Sequence, residues 1–251
     1  MADNGDSTNS KVILAADAGS YSIASVNLAV AMAASVHSLL QGLFVEDEDL
    51  LQLTGLPCAR EITLTTGTQR NTSIEQLQRS LRRVASEFQH TLQQEAQARQ
   101  VPWRFDTVRG RVRDFGLKPT GGATFTILAH ASTHRLQYLQ ARAARRILLL
   151  ARWTQQQARA LEMLLARSPS ERIELTLVTG DGEHADQREM LLWLQRYAGR
   201  VTLVEISVDE LLARLTQPGP GYDCALLSHT YSGEDRQLLL KSLNCPIILS
   251  A

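Results

Sequence analysis

Three things are scarce in this chain. It has 3 cysteines in 251 residues, Cys58, Cys224 and Cys245, far apart and never in a CxxC pair, so neither a disulfide framework nor a thiolate metal site is built from them, and a reducing, cytoplasmic setting is expected. It lacks any run of about 18 uninterrupted apolar residues, which leaves no membrane span to be read. Charge of one sign is also missing: Lys plus Arg and Asp plus Glu both number 26, so no global field draws the chain to nucleic acid or an anionic surface. The opening MADNGDSTNS is polar and acidic, unlike a signal peptide; residues 1–10 read as a disordered tail. A nucleophile elbow, a Walker loop and paired metal-ligand spacing are likewise absent, so no enzymatic activity is expected and no catalytic or metal residues are assigned.

What is present is a repeated theme. In KVILAADAGSYSIAS, residues 11–25, an apolar run ends at Asp17, passes a small-residue loop with Gly19, Ser20 and Ser22, and enters an Ala-rich helical pattern. This is how the first strand, loop and helix of a parallel α/β domain read. Residues 146–152, RILLLAR, fall on residues 11–17, and the following helix falls on the first one. The chain therefore divides into units at 11–145 and 146–251, each a doubly wound parallel sheet. Two units of about 120 to 130 residues can each bury a core.

In the first unit a helix at 22–36, a strand at 38–45 and an acidic run, Glu46, Asp47, Glu48, Asp49, follow in order. The run reads as a turn and helix start, where carboxylates suit the helix dipole. Residues 50–71 form an irregular insertion, the kind that serves as a lid or contact surface. Ser73 opens a long helix to about Gln100, with Ile74, Leu77, Leu81, Val84, Phe88 and Leu92 on one apolar stripe; about 28 residues at 1.5 Å each span about 42 Å, more than a strand needs for cover. Strands at 103–108 and 124–129 and a helix at 133–144 complete the unit. The second unit places strands at 147–151, 173–179, 201–206, 224–228 and 246–250. The first has no separate fifth strand, so either it is lost or 147–151 serves the junction between the sheets.

In a doubly wound sheet the ligand crevice lies beyond the carboxyl ends of the strands, where strand order reverses. In the first unit that crevice is assigned to Asp17, Gly19, Ser20, Val45, Arg109, Gly110, His130 and Ser132. The second unit offers Arg152, Trp153, Thr179, Gly180 and residues 229–232. Asp17 is thus replaced by Arg152 at the matching position, and the two crevices cannot select one ligand by that residue. Arg104, Arg109, Arg111 and Arg113 read either as surface arginines beside a turn or as bidentate phosphate contacts. Arg135, Arg142, Arg145 and Arg146 lack the aromatic interleaving of a nucleic-acid site.

These segments resemble the universal stress protein family in its tandem form. The resemblance rests on ILAADAGSYSIAS, on residues 43–46 after the second strand, on residues 108–110, and on the closing SLNCPIIL. It implies a dimer in which the closing strand, Pro246, Ile247, Ile248, Leu249 and Ser250, is an edge that pairs with a second copy. It implies further that ATP-binding members carry, after the fourth strand, a glycine, two residues, a second glycine, nine residues, then glycine with serine or threonine. This chain departs there: no glycine stands between Gly122 and Gly180, and Gly233 is alone after the second unit's fourth strand. The expectation is a regulatory or scaffold protein that acts through a protein partner and has no cofactor. The alternative is a sensor of a nucleotide, ATP or AMP, or of another small anion, in the first crevice.

Overall fold

The computed structural model describes residues 11–54, 60–62, 69–71, 74–117, 123–129, 146–150, 153–166, 172–179, 184–216, 221–228, 238–240, 242–243 and 245–250. In chain order they form β1 (Lys11–Ala16), α1 (Ile23–Ser35), β2 (Leu39–Asp47), α2 (Glu48–Thr54), β3 (Arg60–Ile62), β4 (Gln69–Asn71), α3 (Ile74–Ala98), β5 (Trp103–Gly110), α4 (Asp114–Leu117), β6 (Ala123–Leu128), β7 (Arg146–Leu150), α5 (Gln155–Ala166), β8 (Ile173–Thr179), α6 (His184–Leu194), β9 (Val201–Ser207), α7 (Val208–Thr216), β10 (Cys224–Ser228) and β11 (Ile247–Ser250). The insertion before α3 holds the short antiparallel hairpin β3–β4.

One nine-stranded sheet runs in the order β5-β2-β1-β6-β11-β10-β7-β8-β9. Every neighbouring pair in it is parallel except β6 with β11, which is antiparallel. Strands such as Val12 to Ala16 and Ile147 to Leu150 are apolar at every position because each side chain alternately meets one of two covered faces. On one face Val12, Leu14, Phe44, Ile127, Leu149 and Ile248 join side chains from α1, α3, α5 and α6; on the other Ile13, Ala15, Val45, Leu148, Ile247 and Leu249 join Leu211 of α7 and Leu239, Leu240 and Leu243.

This order decides one open alternative and corrects one expectation. Of the two readings, a lost fifth strand or a junction at 147–151, it favours the first: β7 lies between β10 and β8, as the first strand of the second half. The closing strand is not a free edge for a second copy. β11 is bonded on both sides, parallel to β10 through Leu226↔Ile248 and antiparallel to β6 through Ile248↔Ile127. The physical reason is the missing fifth strand: β6 would otherwise expose an unpaired ladder, and β11 closes both halves at once.

Helix α1 begins where Ser22, extended at φ −150° and ψ 151°, accepts from the Ser25 amide at 3.2 Å. Its alanines, Ala29 and Ala33, are fully buried and bring the helix close to the sheet. It stops at His37, whose φ of 49° is left-handed, with the His37 amide on the Ala34 carbonyl and the Ser38 amide on the Ala33 carbonyl. Helix α3 ends the same way, with Gln100 at φ 55° and the Val101 amide on the Ala96 carbonyl. Both are Schellman stops in which a polar residue takes the place usual for glycine.

With 25 residues, α3 spans about 37 Å. Phe88, Leu92 and Ala96 are fully buried while Ile74 at its start is 46% exposed, so its C-terminal part docks and its first turn overhangs. Phe88 stacks on Tyr21 at 5.0 Å and meets Phe105 edge-on at 5.3 Å. The docking is close enough that β2 carries Gly42 beneath it: a Cβ there would lie 2.5 Å from Leu92 Cδ2 and 3.0 Å from Phe105 Cδ2.

Candidate functional site

The carboxyl ends of β1, β2, β5 and β6 meet on one edge of the first half, because strand order brings β1 between β2 and β6. Asp17 directly follows β1, and the loop after it is closed by its own side chains. Asp17 Oδ1 accepts from the Gly19 amide at 2.9 Å and from the Ser20 amide at 2.7 Å, while the Asp17 amide donates to Ser20 Oγ at 2.9 Å. The Tyr21 amide donates to the Asp17 carbonyl at 3.0 Å. A carboxylate thus occupies the place where the loop's amides converge, ahead of the N-terminus of α1. Ser20 is buried and Gly19 exposed; the Gly19 Cβ position meets Asp17 Oδ1 only at ordinary contact, 3.5 Å.

Val45 is fully buried in the core beneath this edge and does not line an open groove. Its neighbours beyond it do reach the surface. β2 and β5 run in register, Glu46 beside Arg109 and Asp47 beside Gly110, so the acidic run and the arginine run face each other. Arg109 Nε donates to Glu46 Oε2 at 3.3 Å, and Arg111 takes both oxygens of Asp49, at 2.8 and 2.6 Å. The hydrogen bond from Arg111 holds the Asp49 carboxyl below its ordinary range, and Asp49 in turn raises Arg111. The Asp47 carboxylate caps α2 by accepting from the Asp49 amide at 2.9 Å. Gly110 sits at φ +147°, where the strand ends and only glycine is unstrained.

His130 and Ser132 lie outside the described residues, as do Arg152, Gly180 and residues 229–232 of the second half. Trp153 is a core residue: it is buried and stacks on Trp193 at 5.4 Å, which stacks on Tyr197 at 5.0 Å. Of the cysteines, Cys224 and Cys245 are buried and belong to opposite faces of the sheet. Burial pushes the Cys224 thiol up to about 12, so it is no nucleophile at neutral pH.

A polar network that sequence reasoning missed lies at the other end of the same strands. Arg104 donates to Gln41 Oε1 at 2.7 Å, Gln41 donates to Asp106 Oδ2 at 2.7 Å, and Arg104 Nε stands 3.8 Å from Asp106 Oδ2. Burial, then the charge of Arg104, lowers the Lys11 ammonium beside it. The signal was the alternation in WRFD, residues 103–106, apolar then polar twice over, which marks one uncovered sheet face. Of the arginines that read either as surface residues or as phosphate contacts, Arg104, Arg109 and Arg111 bond to side chains of this chain.

Among the described residues no cluster of three or more His, Cys, Asp or Glu could hold a metal, and no helix is long and apolar enough to cross a membrane. No family model and no curated protein matches the chain. Among solved structures it is similar to a universal stress protein from Archaeoglobus fulgidus DSM 4304, at 12% identity and a TM-score of 0.43, covering 98% of this chain and 99% of that one. It is also similar to a universal stress family protein from Burkholderia pseudomallei, at 15% identity and a TM-score of 0.25, covering 79% and 98%. The fold is α/β, doubly wound and mostly parallel. Strand order and register establish that, not the scores, which lie below one half.

Proposed function

We propose that this protein is a tandem universal-stress-like regulator or scaffold that works by binding another protein, catalyses no reaction, and has given up the ATP site of that family. One observation carries the reading: the amides of Gly19 and Ser20, which an anion ahead of α1 would seek, are held by the carboxylate of Asp17. Backbone amides at a helix N-terminus attract an anion, and here the anion is the protein's own. The arginines nearest this edge add to the argument, since Arg109 and Arg111 are turned to Glu46 and Asp49. The sequence points the same way, with no glycine from residue 123 to residue 179 where the phosphate loop of ATP-binding relatives would lie.

Thermal shift with ATP, AMP, cyclic nucleotides and inorganic phosphate tests this. No rise is expected, whereas a ligand at a hundredfold excess over its Kd stabilises by about 2.7 kcal/mol. A clear rise that Asp17→Asn alters while the apo stability stays high would instead make the first crevice a nucleotide or small-anion sensor. Asp17→Asn is the better probe than Asp17→Ala, because it keeps the Oδ1 acceptor on the loop amides while removing the charge.

A further inference from the structure

The nine-stranded sheet ends in two edges of opposite character. β5 is protected: Arg104, Asp106 and Arg109 line it with side chains 50%, 50% and 66% exposed. Charges of this kind are how proteins blunt an edge. β9, VTLVEIS, carries less protection. It is 7 residues long, without proline or glycine, with Glu205 as its single charge, and its register with β8 is unbroken from Val201 to Ser207.

The outward groups of β9 follow from one bond. The Ile173 amide donates to the Arg200 carbonyl at 2.8 Å, so in a parallel ladder the even-numbered residues of β9 bond to β8. Val201, Leu203, Glu205 and Ser207 then turn their amides and carbonyls away from the sheet. We propose that a second copy of this chain pairs here, β9 against β9, antiparallel and centred on Val204.

That register is selected by the sequence. It alone overlaps the whole strand, placing Val201 opposite Ser207, Leu203 opposite Glu205, Thr202 opposite Ile206 and Val204 opposite Val204. All four outward residues then exchange hydrogen bonds with their opposites. A shift of the centre to Glu205 sets carboxylate against carboxylate, which is destabilising; a shift to Leu203 leaves Ile206 and Ser207 unpaired. A chain of zero formal net charge adds no general repulsion between copies. One strand pair buries less than the roughly 800 Å² per partner of a standard interface, so the dimer is concentration-dependent. It joins the two sheets without using β11, which is internal.

Sedimentation equilibrium of the full chain over a concentration series tests the proposal. Wild type is expected to move from the 27.8 kDa of one chain toward twice that mass. Val204→Lys and Val204→Glu, each facing its own like charge, are each expected to stay at one chain, and mixing them is expected to restore the double mass. Only a two-fold contact at residue 204 produces that rescue. Glu205→Pro, at an exposed position whose amide bonds nothing inside the sheet, gives the same loss of dimer by a change that leaves the core alone, and circular dichroism confirms that it is folded. A wild type that stays at one chain at every concentration overturns the proposal, as does a dimer whose mass ignores Glu205→Pro or a mixture of the two Val204 variants that fails to associate.

Discussion

The shared strand makes a quantitative claim that Ile248→Ala can break. Ile248 is fully buried, opposite Ile127 of β6 on one side and Leu226 of β10 on the other. The substitution removes three carbons, worth about 2.4 kcal/mol at about 0.8 kcal/mol each, and leaves a cavity in a site that neighbours on both sides hold open, for a total of about 4 kcal/mol. In a chain of this size that lowers Tm by about 8 to 16 °C. The informative readout is amide exchange followed by mass spectrometry. If β11 closes both halves, peptides from β1 and β2 and peptides from β7 and β8 should all exchange faster, by up to about a thousandfold where exchange needs global opening, since each 1.4 kcal/mol is tenfold. An increase confined to β7, β8 and β10, with β1 and β2 unchanged, would refute the reasoning, because β11 would then belong to the second half alone.

Two further outcomes are expected. Gly42→Ala forces a Cβ to within 2.5 Å of Leu92 Cδ2, and overpacking of about 1 to 3 kcal/mol less a smaller gain from the stiffer unfolded chain gives a net loss of about 1 to 2 kcal/mol; thermal denaturation of Gly42→Ala, Leu92→Ala and the pair should show the double mutant more stable than the sum of the two losses, and additivity would mean that the two sites do not touch. Because Arg111 depresses the Asp49 carboxyl in the folded chain, its contribution to stability is present above the unfolded value near 3.8 and is lost as pH falls through the lower folded value; a carboxyl NMR titration of Arg111→Ala should find Asp49 back near 3.8, and an unmoved titration would refute the pairing.

The fold was readable because it rests on near-neighbour physics. Apolar runs such as RILLL, and ILAA within β1, state their double burial, and the Asp17 to Ser22 loop announces a strand turning into a helix. The second half came out strand by strand for that reason. What was not readable is pairing across long separation. Nothing local to PIIL reveals that its second partner is β6, more than a hundred residues earlier and antiparallel; only the count of strands, one fewer in the first half, hinted at it. The acidic run at Glu46 to Asp49 and the arginines at 109 and 111 were each legible as surface charge. Their mutual capture was legible only once strand order β5-β2-β1 was granted, since it is the β2–β5 register that sets them side by side. His130 and Ser132 rest where the sequence left them.

The energetic weight of the Asp17 loop can be bounded. A phosphate that seeks the amides of Gly19 and Ser20 must first displace two hydrogen bonds to a carboxylate, at 2.9 and 2.7 Å. Hydrogen bonds to charged groups contribute about 1.5 to 3 kcal/mol each, and the half-exposed setting of Asp17 argues for the lower figure, so the toll is about 3 kcal/mol before any repulsion between carboxylate and phosphate. That alone weakens binding by about a hundredfold. A glycine-rich loop could offset it by offering fresh amides, but the segment after β6 carries no glycine until residue 180. The two features therefore reinforce each other: the amides after β1 that could attract an anion are taken from within, and the segment after β6 has no glycine that would let its backbone come close to a triphosphate.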